Sequence, residues 1–537
     1  MKTIFFKITT VVAFLVTTVM MSCDSDHLTE LNKDPDKIDA TIPAYSFTSL
    51  VLSSVPEVNY SSLGFGLRYF ASVREISSPG DRLIVFGDGG RNPFTSDLNR
   101  IKRILDQIPG AENVNKRAAC IVLRVLAIVN YTDVVGDIPY SEAEQGLKNL
   151  TPKYDRQKDI YAGLLAELDG ALTSMDNSKP NVFGAADPFY KGDVLKWKKF
   201  GYTLMLRMGM RMSEVEPSLS KSWVQKAIAG GVMTETTDIA YINYANTSNQ
   251  QNPIANRLIS GDYSVIGADN TQGGKYGSQF IDLLRNTRDP RLPVLSVVWV
   301  RNVGGTFGDG YHADTISANQ RGIVNGSING NPPDWETYSE PSILYLNYAS
   351  PIICLSPAEA YLLLSEAAIR GWYTGSTAKE AYNLAVTRAM QQWSLWPDVA
   401  PHSGFISQTK INSYLLQGYP FKESGSFEEK LEQIITQKWL TLFGNANEVW
   451  SEWRRVKYPI FNYKNWKDSN GQLVAYPGST SGGHMWRHWA LPSSELNTNK
   501  DNYLAGLAAQ GFQEGTLGLL LERVWWDTPA RGNGEKP

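Results

Sequence analysis

Ser356-Pro357-Ala358-Glu359-Ala360-Tyr361-Leu362-Leu363-Leu364-Ser365-Glu366-Ala367-Ala368-Ile369-Arg370-Gly371 is a helix with both ends written into it. Proline at the first helical position has no amide hydrogen to leave unbonded. Ser356 and Glu359 stand at capping-box spacing. The Glu359 carboxylate is therefore expected to reach back to the Ser356 N–H while the serine hydroxyl takes the Glu359 N–H. Ala360, Leu363, Leu364 and Ala367 continue the helix, and Gly371 can take the left-handed stop. Thr377-Ala378-Lys379-Glu380 opens a second helix that runs to about Trp393. The short link and the small residues Ala367, Ala368, Ala381 and Ala385 allow close approach. Together they predict a helical hairpin of roughly repeat-protein size.

Outward from this hairpin the strongest signals remain helical. Ser426-Phe427-Glu428-Glu429 opens another helix, with Leu431, Ile434, Ile435, Lys438, Trp439 and Leu442 at helical spacing and Gly444 at its end. Lys438 is the one polar member of that stripe, and its stem is expected to snorkel to solvent. Further helices are predicted near 45–55, 95–107, 112–134, 157–175, 193–213 and 219–230. The segment 112–134 is apolar nearly all round and should be central. Arg124 within it needs a carboxylate or carbonyl partner.

Residues 240–350 are rich in Gly, Asn, Asp, Pro and Ser, and only 295–300 reads as a good strand. So long a weakly periodic stretch, carrying Trp299, Phe307, Tyr311, Trp335 and Tyr338, reads as an ordered functional loop region. A second loop-rich stretch, 456–503, includes Trp466, Trp486 and Trp489.

At the other end, Lys2 and Lys7 precede an apolar or threonine stretch over 8–21, too short to span a bilayer comfortably but suited to a signal peptide. Met20-Met21-Ser22-Cys23 closes it and resembles a bacterial lipoprotein cleavage site, with Cys23 as the lipidated residue. Asp24, Asp26 and Glu30 resemble the surface-export signal of lipoproteins in the Bacteroidetes. Residues 1–22 are thus expected to be a signal peptide. The body that remains has a formal charge of −5 instead of −3, because Lys2 and Lys7 leave. There is no Lys/Arg run, so a nucleic-acid partner is not expected. The longest later apolar stretch, 118–129, is short and interrupted by Arg124, so no transmembrane helix is expected. Cys120 and Cys354 sit among apolar neighbours, which favours buried thiols over a disulfide framework.

The search for catalytic chemistry is mostly negative. His484 and His488 have the spacing of two ligands on one helix face. They follow Gly482-Gly483, and no acid occupies the HExxH position, so no metal site is expected. Gly478-Ser479-Thr480-Ser481-Gly482 mimics a nucleophile elbow but has Thr at its centre. Gly273-Gly274-Lys275-Tyr276 lacks the upstream glycine of a phosphate loop, and no cofactor motif is present. Carboxylates abound, and nothing selects a catalytic pair.

Several stretches together resemble the SusD/RagB family of surface nutrient-binding lipoproteins. They include Leu31-Asn32-Lys33-Asp34-Pro35 and Tyr131-Thr132-Asp133-Val134-Val135-Gly136-Asp137-Ile138-Pro139-Tyr140. Asp187-Pro188-Phe189-Tyr190-Lys191-Gly192-Asp193 and Leu206-Arg207-Met208-Gly209-Met210-Arg211 follow, then Asp289-Pro290-Arg291-Leu292. Residues 356–372, 443–455 and 491–497 and Arg523-Val524-Trp525-Trp526-Asp527 complete the order. The resemblance implies a mostly α fold on four tetratricopeptide-like hairpins with a loop-rich ligand-binding part. Residues 23–537 would form one nutrient-binding domain, with 240–350 as its loop-rich insert. It further implies capture of an oligosaccharide or peptide and delivery to a SusC-like TonB-dependent outer-membrane transporter. The protein would be non-catalytic and lipid-anchored in the outer membrane, facing the cell exterior. A surface glycan hydrolase and a structural or adhesive lipoprotein are the alternatives.

Capture of a sugar needs flat aromatic platforms interleaved with polar groups. Two loops have that composition: 79–94, with Arg82, Phe86 and Asp88, and 299–338, with Tyr311, Asn325, Trp335 and Tyr338. Trp393 and Trp396 make a third candidate. The shared motifs read as structural: Gly136-Asp137 as a helix stop and turn, Trp525-Trp526 as core. The lipid reading predicts that Cys23→Ala leaves the membrane fraction when no transporter partner is present; a variant that stays membrane-bound would overturn it.

Overall fold

Helical periodicity becomes a frame of paired helices. The computed structural model describes residues 42–529 apart from 57–61, 72–78, 85–91, 257–274, 303–310, 328–333, 335–336, 400–403, 490, 492–493, 514 and 516–518. Cys23 and the expected signal peptide lie outside the described residues.

In chain order the principal helices are α1 (Pro43–Ser54), α2 (Asp97–Gln107), α3 (Val114–Val135), α4 (Gln157–Ser174), α5 (Val194–Arg211) and α6 (Pro217–Gly230). They continue as α7 (Ser278–Asn286), α8 (Pro357–Ile369), α9 (Ala378–Gln391), α10 (Phe427–Thr441), α11 (Ala446–Val456) and α12 (Lys500–Gln510). The pairs α3/α4, α5/α6, α8/α9 and α10/α11 are the four hairpins; α4 packs on α5, α5 on α8, α8 on α10, and α11 on α3. α1 and α2 pack together and cover one side of α3.

α3 is long and apolar enough to cross a membrane by length and composition, but most of it is buried inside the fold. Arg124 on it finds two carboxylates, Glu144 at 2.7 Å and Glu167 at 2.6 Å. Gly136 stops the helix with φ of +73°, where a side chain would be strained. Thr377 and Ser426 each close the capping box their sequences predict. Cys120 and Cys354 are free, buried thiols.

Ser356 does not. Its side chain makes no cap bond, because Glu359 turns inward instead and accepts two bonds from Arg207, at 2.8 and 2.6 Å. A bidentate, buried guanidinium outcompetes a single amide. Lys438 corrects a second expectation: it is 1 % exposed and does not snorkel. Its Nζ lies 3.2 Å from Glu448 and from Glu452 and 3.3 Å from Glu359.

These residues belong to one buried network joining three hairpins. Arg211 bonds Glu448 at 2.6 Å and also Glu452. Arg455 donates to both oxygens of Glu366, at 2.7 and 2.6 Å, and to Glu452 at 2.7 Å. Four cations (Arg207, Arg211, Lys438, Arg455) thus face four carboxylates (Glu359, Glu366, Glu448, Glu452), with Asp133 3.4 Å from Arg211 and Arg370 2.9 Å from Glu366 at the margin. Burial opposes ionisation of Glu448 and Glu452, but the surrounding cations outweigh it and hold both below the usual carboxylate range. Late residues lock onto the same region: the Trp526 Nε1 donates to Asp133 at 2.8 Å, and Asp527 pairs with Lys457 and Arg487.

The loop-rich insert is less irregular than its composition implies. It contains α7, and the predicted strand runs Ser296–Arg301, between Tyr311–Asp314 and Glu340–Pro341 in an antiparallel three-stranded sheet. α11 and α12 are likewise helices beyond those the periodicity singled out.

Removing one member of a buried ion network leaves its partners uncompensated, at about 3–5 kcal/mol. Lys438→Met should therefore lose stability of that order in a urea titration; a loss under ~1 kcal/mol would show the network to be dispensable. Because Glu448 and Glu452 titrate below their unfolded values, the stability they add is present above the ordinary carboxylate range. It is lost as pH falls through their depressed values.

Candidate ligand-binding site

The two predicted loops are rooted on one polar base. Asp81 and Arg82 sit in a short 3-10 turn, Pro79–Arg82, and Asn325 opens the turn that leads toward 328–336. Asn325 is buried, and its amide donates to the Asp81 carboxylate and the Phe70 carbonyl, both at 2.6 Å. Asp81 also accepts from the Gly326 N–H at 2.8 Å, and Arg68 donates to its carbonyl at 3.1 Å. Burial raises the Asp81 carboxyl, against the pull of the Arg68 charge.

A third segment joins the base. Asn465 donates to the Asn325 carbonyl at 3.0 Å, and Ser479 and Thr480 both reach the Leu83 carbonyl. Between them the two-stranded ribbon Trp466–Lys467 with Leu473–Val474 carries half-buried Trp466 edge-on to Tyr476, at 5.1 Å. Arg82 lies over the Tyr476 ring, 4.8 Å from its centroid.

The predicted site residues accordingly fall into two kinds. Asn325 and Arg82 are buried parts of the base: both amide hydrogens of Asn325 are committed, and the Arg82 guanidinium is stacked. Tyr338 is half-buried against Ala71 and Ile323, with Arg321 stacked 4.1 Å from its ring and bonded to Asp334. Tyr311 begins a strand. Phe86, Asp88 and Trp335 lie outside the described residues. Trp466 and Tyr476 join the same base and were not among the predicted site residues, although the aromatic content of 456–503 marked that stretch.

A separate cavity of about 60 Å³ opens beside Trp393 and Trp396, the third candidate. Four segments meet there: 252–255, 345–359, 392–396 and 441–445. Trp396, Trp393, Tyr345 and Phe443 form a continuous aromatic wall, with successive centroids 4.4, 6.1 and 5.2 Å apart. Three lining residues carry buried polar atoms without a hydrogen-bond partner: Gln392 Oε1, Trp396 Nε1 and Thr441 Oγ1. An unsatisfied buried group of this kind costs about 1–3 kcal/mol.

The remaining motif residues hold the frame. Asp187 accepts from the Trp197 indole at 2.8 Å and from three backbone amides; Arg291 grips Asp289 through two bonds. His484 is exposed and His488 buried, with no helix beneath them.

A stack of tetratricopeptide-like hairpins presenting loops from one shared base defines a helical scaffold for ligand binding. The chain belongs to the SusD-like family described as starch-binding and associating with the outer membrane, whose model matches residues 91–477. No curated protein matches it. Among solved structures it is similar to a chitin-binding protein at 27 % identity, TM-score 0.72, over 91 % of this chain and all of the other. A chitin-binding SusD homologue from Flavobacterium johnsoniae aligns at 24 % identity, TM-score 0.68, over 91 % and 98 %. A SusD homologue from Bacteroides fragilis aligns at 21 %, TM-score 0.72, over 91 % and 99 %. The last two speak for the fold alone.

Burial, with the Arg454 charge behind it, pushes His488 down to about 4. A histidine held neutral in the fold binds its proton more readily when unfolded, so stability should fall as pH drops from about 6.5 to about 4. Comparing melting midpoints at both ends of that window for the wild type and His488→Gln tests this; an equal acid loss in the two would assign it elsewhere.

Proposed function

We propose that this protein captures oligosaccharides at the cell surface and passes them to a SusC-like TonB-dependent transporter, without cleaving them. The observation that carries the reading is the family match across 91–477. The relative named for chitin binding favours glycan over peptide. In this reading residues 23–537 act as one nutrient-binding domain, tethered by lipid on Cys23 with the loops facing outward.

The shared loop base supports the placement of the site. Phe86 and Asp88 follow Arg82 closely, and Trp335 and Tyr338 follow Asn325, so both loops depart from the Asp81–Asn325 contact. Phe86, Trp335 and Tyr338 supply platforms, Asp88 and Tyr311 hydroxyl partners, and Trp466 a further aromatic edge. The buried carboxylates nearby support binding over hydrolysis: Asp81 is engaged by Asn325 and Gly326, and Glu340 pairs with Lys275.

Calorimetric titration with starch- and chitin-derived oligosaccharides should show binding, and prolonged incubation should release no shorter products. Sustained product formation would move the reading to a surface hydrolase; binding of peptides alone would replace the ligand class. Truncating a well-placed aromatic anchor costs at least ~2 kcal/mol, about thirtyfold in affinity. Trp335→Ala, Tyr338→Ala, Phe86→Ala and Trp466→Ala should weaken binding by that order; the melting midpoint should change little, except for Tyr338→Ala, which also gives up packing on Ala71 and Ile323. Unchanged affinity in all four would place the site elsewhere.

A further inference from the structure

The connection between α3 and α4 carries apolar side chains that the fold does not use. Leu147 is 92 % exposed and Leu150 69 %. Leu147 is the most exposed large apolar side chain among the described residues. The two leucines stand three residues apart, on and just after the 3-10 turn Gly146–Lys148. One leucine in water is ordinary, but two on a short turn gather apolar surface that a contact could take out of water.

The turn is fastened at both legs. Arg124 on α3 holds Glu144 at 2.7 Å, and Glu142 accepts from the Lys153 N–H at 3.1 Å and the Asn149 amide at 3.3 Å. At the start of α12, Asn499 and Asn502 donate to the Pro152 and Thr151 carbonyls, each at 2.8 Å. A fixed turn gives up little conformational freedom when its leucines are covered.

Charge says what covers them. Both carboxylates of the turn are engaged within the fold, Glu144 by Arg124 and Glu142 by the two amides. Its lysines, Lys148 and Lys153, are exposed, and Lys153 Nζ stays 3.7 Å from Glu142. On the adjoining α12, exposed Lys500 and Asp501 offset each other. Leucines set among cations suit a bilayer interface, where apolar side chains meet acyl chains and cations meet phosphates. Eighteen residues, 24–41, separate Cys23 from the described fold, and a chain of that length spans at most about 65 Å. A lipid on Cys23 would keep a membrane within reach without fixing which face meets it. A contact too weak to hold a free protein becomes effective once tethered.

We propose that the turn 141–153 is a second membrane contact. Leu147 and Leu150 enter the interface, Lys148 and Lys153 meet lipid phosphates, and the connection between α3 and α4 lies against the bilayer. The inference rests on the lipid-anchor part of the reading above and adds an orientation to it.

The test reconstitutes the full-length protein in vesicles of phosphatidylcholine and phosphatidylglycerol that carry a nitroxide quencher on an acyl chain. A fluorophore is placed on Leu147→Cys or, as a control, on Leu416→Cys; Leu416 is 75 % exposed on the turn Tyr414–Gly418, beyond α9. Cys120 and Cys354 are buried and escape the label. The label at 147 should be quenched and the label at 416 should not. Adding Lys148→Gln and Lys153→Gln should lower the ratio of docked to free turn about thirtyfold, roughly fivefold for each lysine. Equal quenching at the two positions, or none at 147 in a protein that floats with the vesicles, overturns the proposal and leaves the anchor standing. Quenching that ignores both the lysines and the phosphatidylglycerol overturns it as well. So does a label at 147 that is shielded from aqueous iodide only after a SusC-like transporter is added, which assigns the turn to a protein partner. Intact mass reports the lipid on Cys23 independently. An unlipidated protein whose label at 147 is quenched keeps the contact and loses the anchor; one that stays in solution loses both.

Discussion

The arrangement of the hairpins depends on a buried exchange of charge among α5, α8, α10 and α11. Arg207 and Arg211 reach from α5, Lys438 from α10 and Arg455 from α11. They meet Glu359 and Glu366 on α8 and Glu448 and Glu452 on α11. Each charge gives up hydration on entering the core, and only a close geometry with every group engaged offsets that loss. Apolar side chains tolerate sliding by a fraction of a turn. A carboxylate gripped at both oxygens does not. The network therefore sets which turn of one helix faces which turn of the next.

That constraint explains what the sequence could and could not reveal. Helix ends at Thr377 and Ser426 were legible because their capping bonds are local, three residues apart. Ser356 and Glu359 carry the same local signature, yet Glu359 answers to Arg207, 152 residues away. Lys438 was misread for the same reason, since nothing in its own helix announces three acidic partners. α7 was hidden by the Gly- and Asn-rich composition around it.

The candidate site divides along similar lines. The loop compositions were legible, and Trp393 and Trp396 stood out as a candidate, but the contact of their rings at 4.4 Å did not. Long-range contacts were not: the Asp81–Asn325 contact spans 244 residues, and the cavity is assembled from four separated segments. Family motifs such as the Asp187 turn and the Asp289–Arg291 clasp are scaffold chemistry. Such scaffold chemistry does not by itself set a ligand.

The lock made by Trp526 and Asp527 bears on how the protein is made. Trp526 reaches back to Asp133 across 393 residues, and Asp527 closes on Lys457 and Arg487 in the interior. Contacts that distant in sequence form late, because the intervening chain must be brought together first. Synthesis proceeds from the N-terminus, so the central helix α3 emerges long before the residues that seal it. The interior of the fold is therefore sealed only once its last tryptophan, Trp526, has been made.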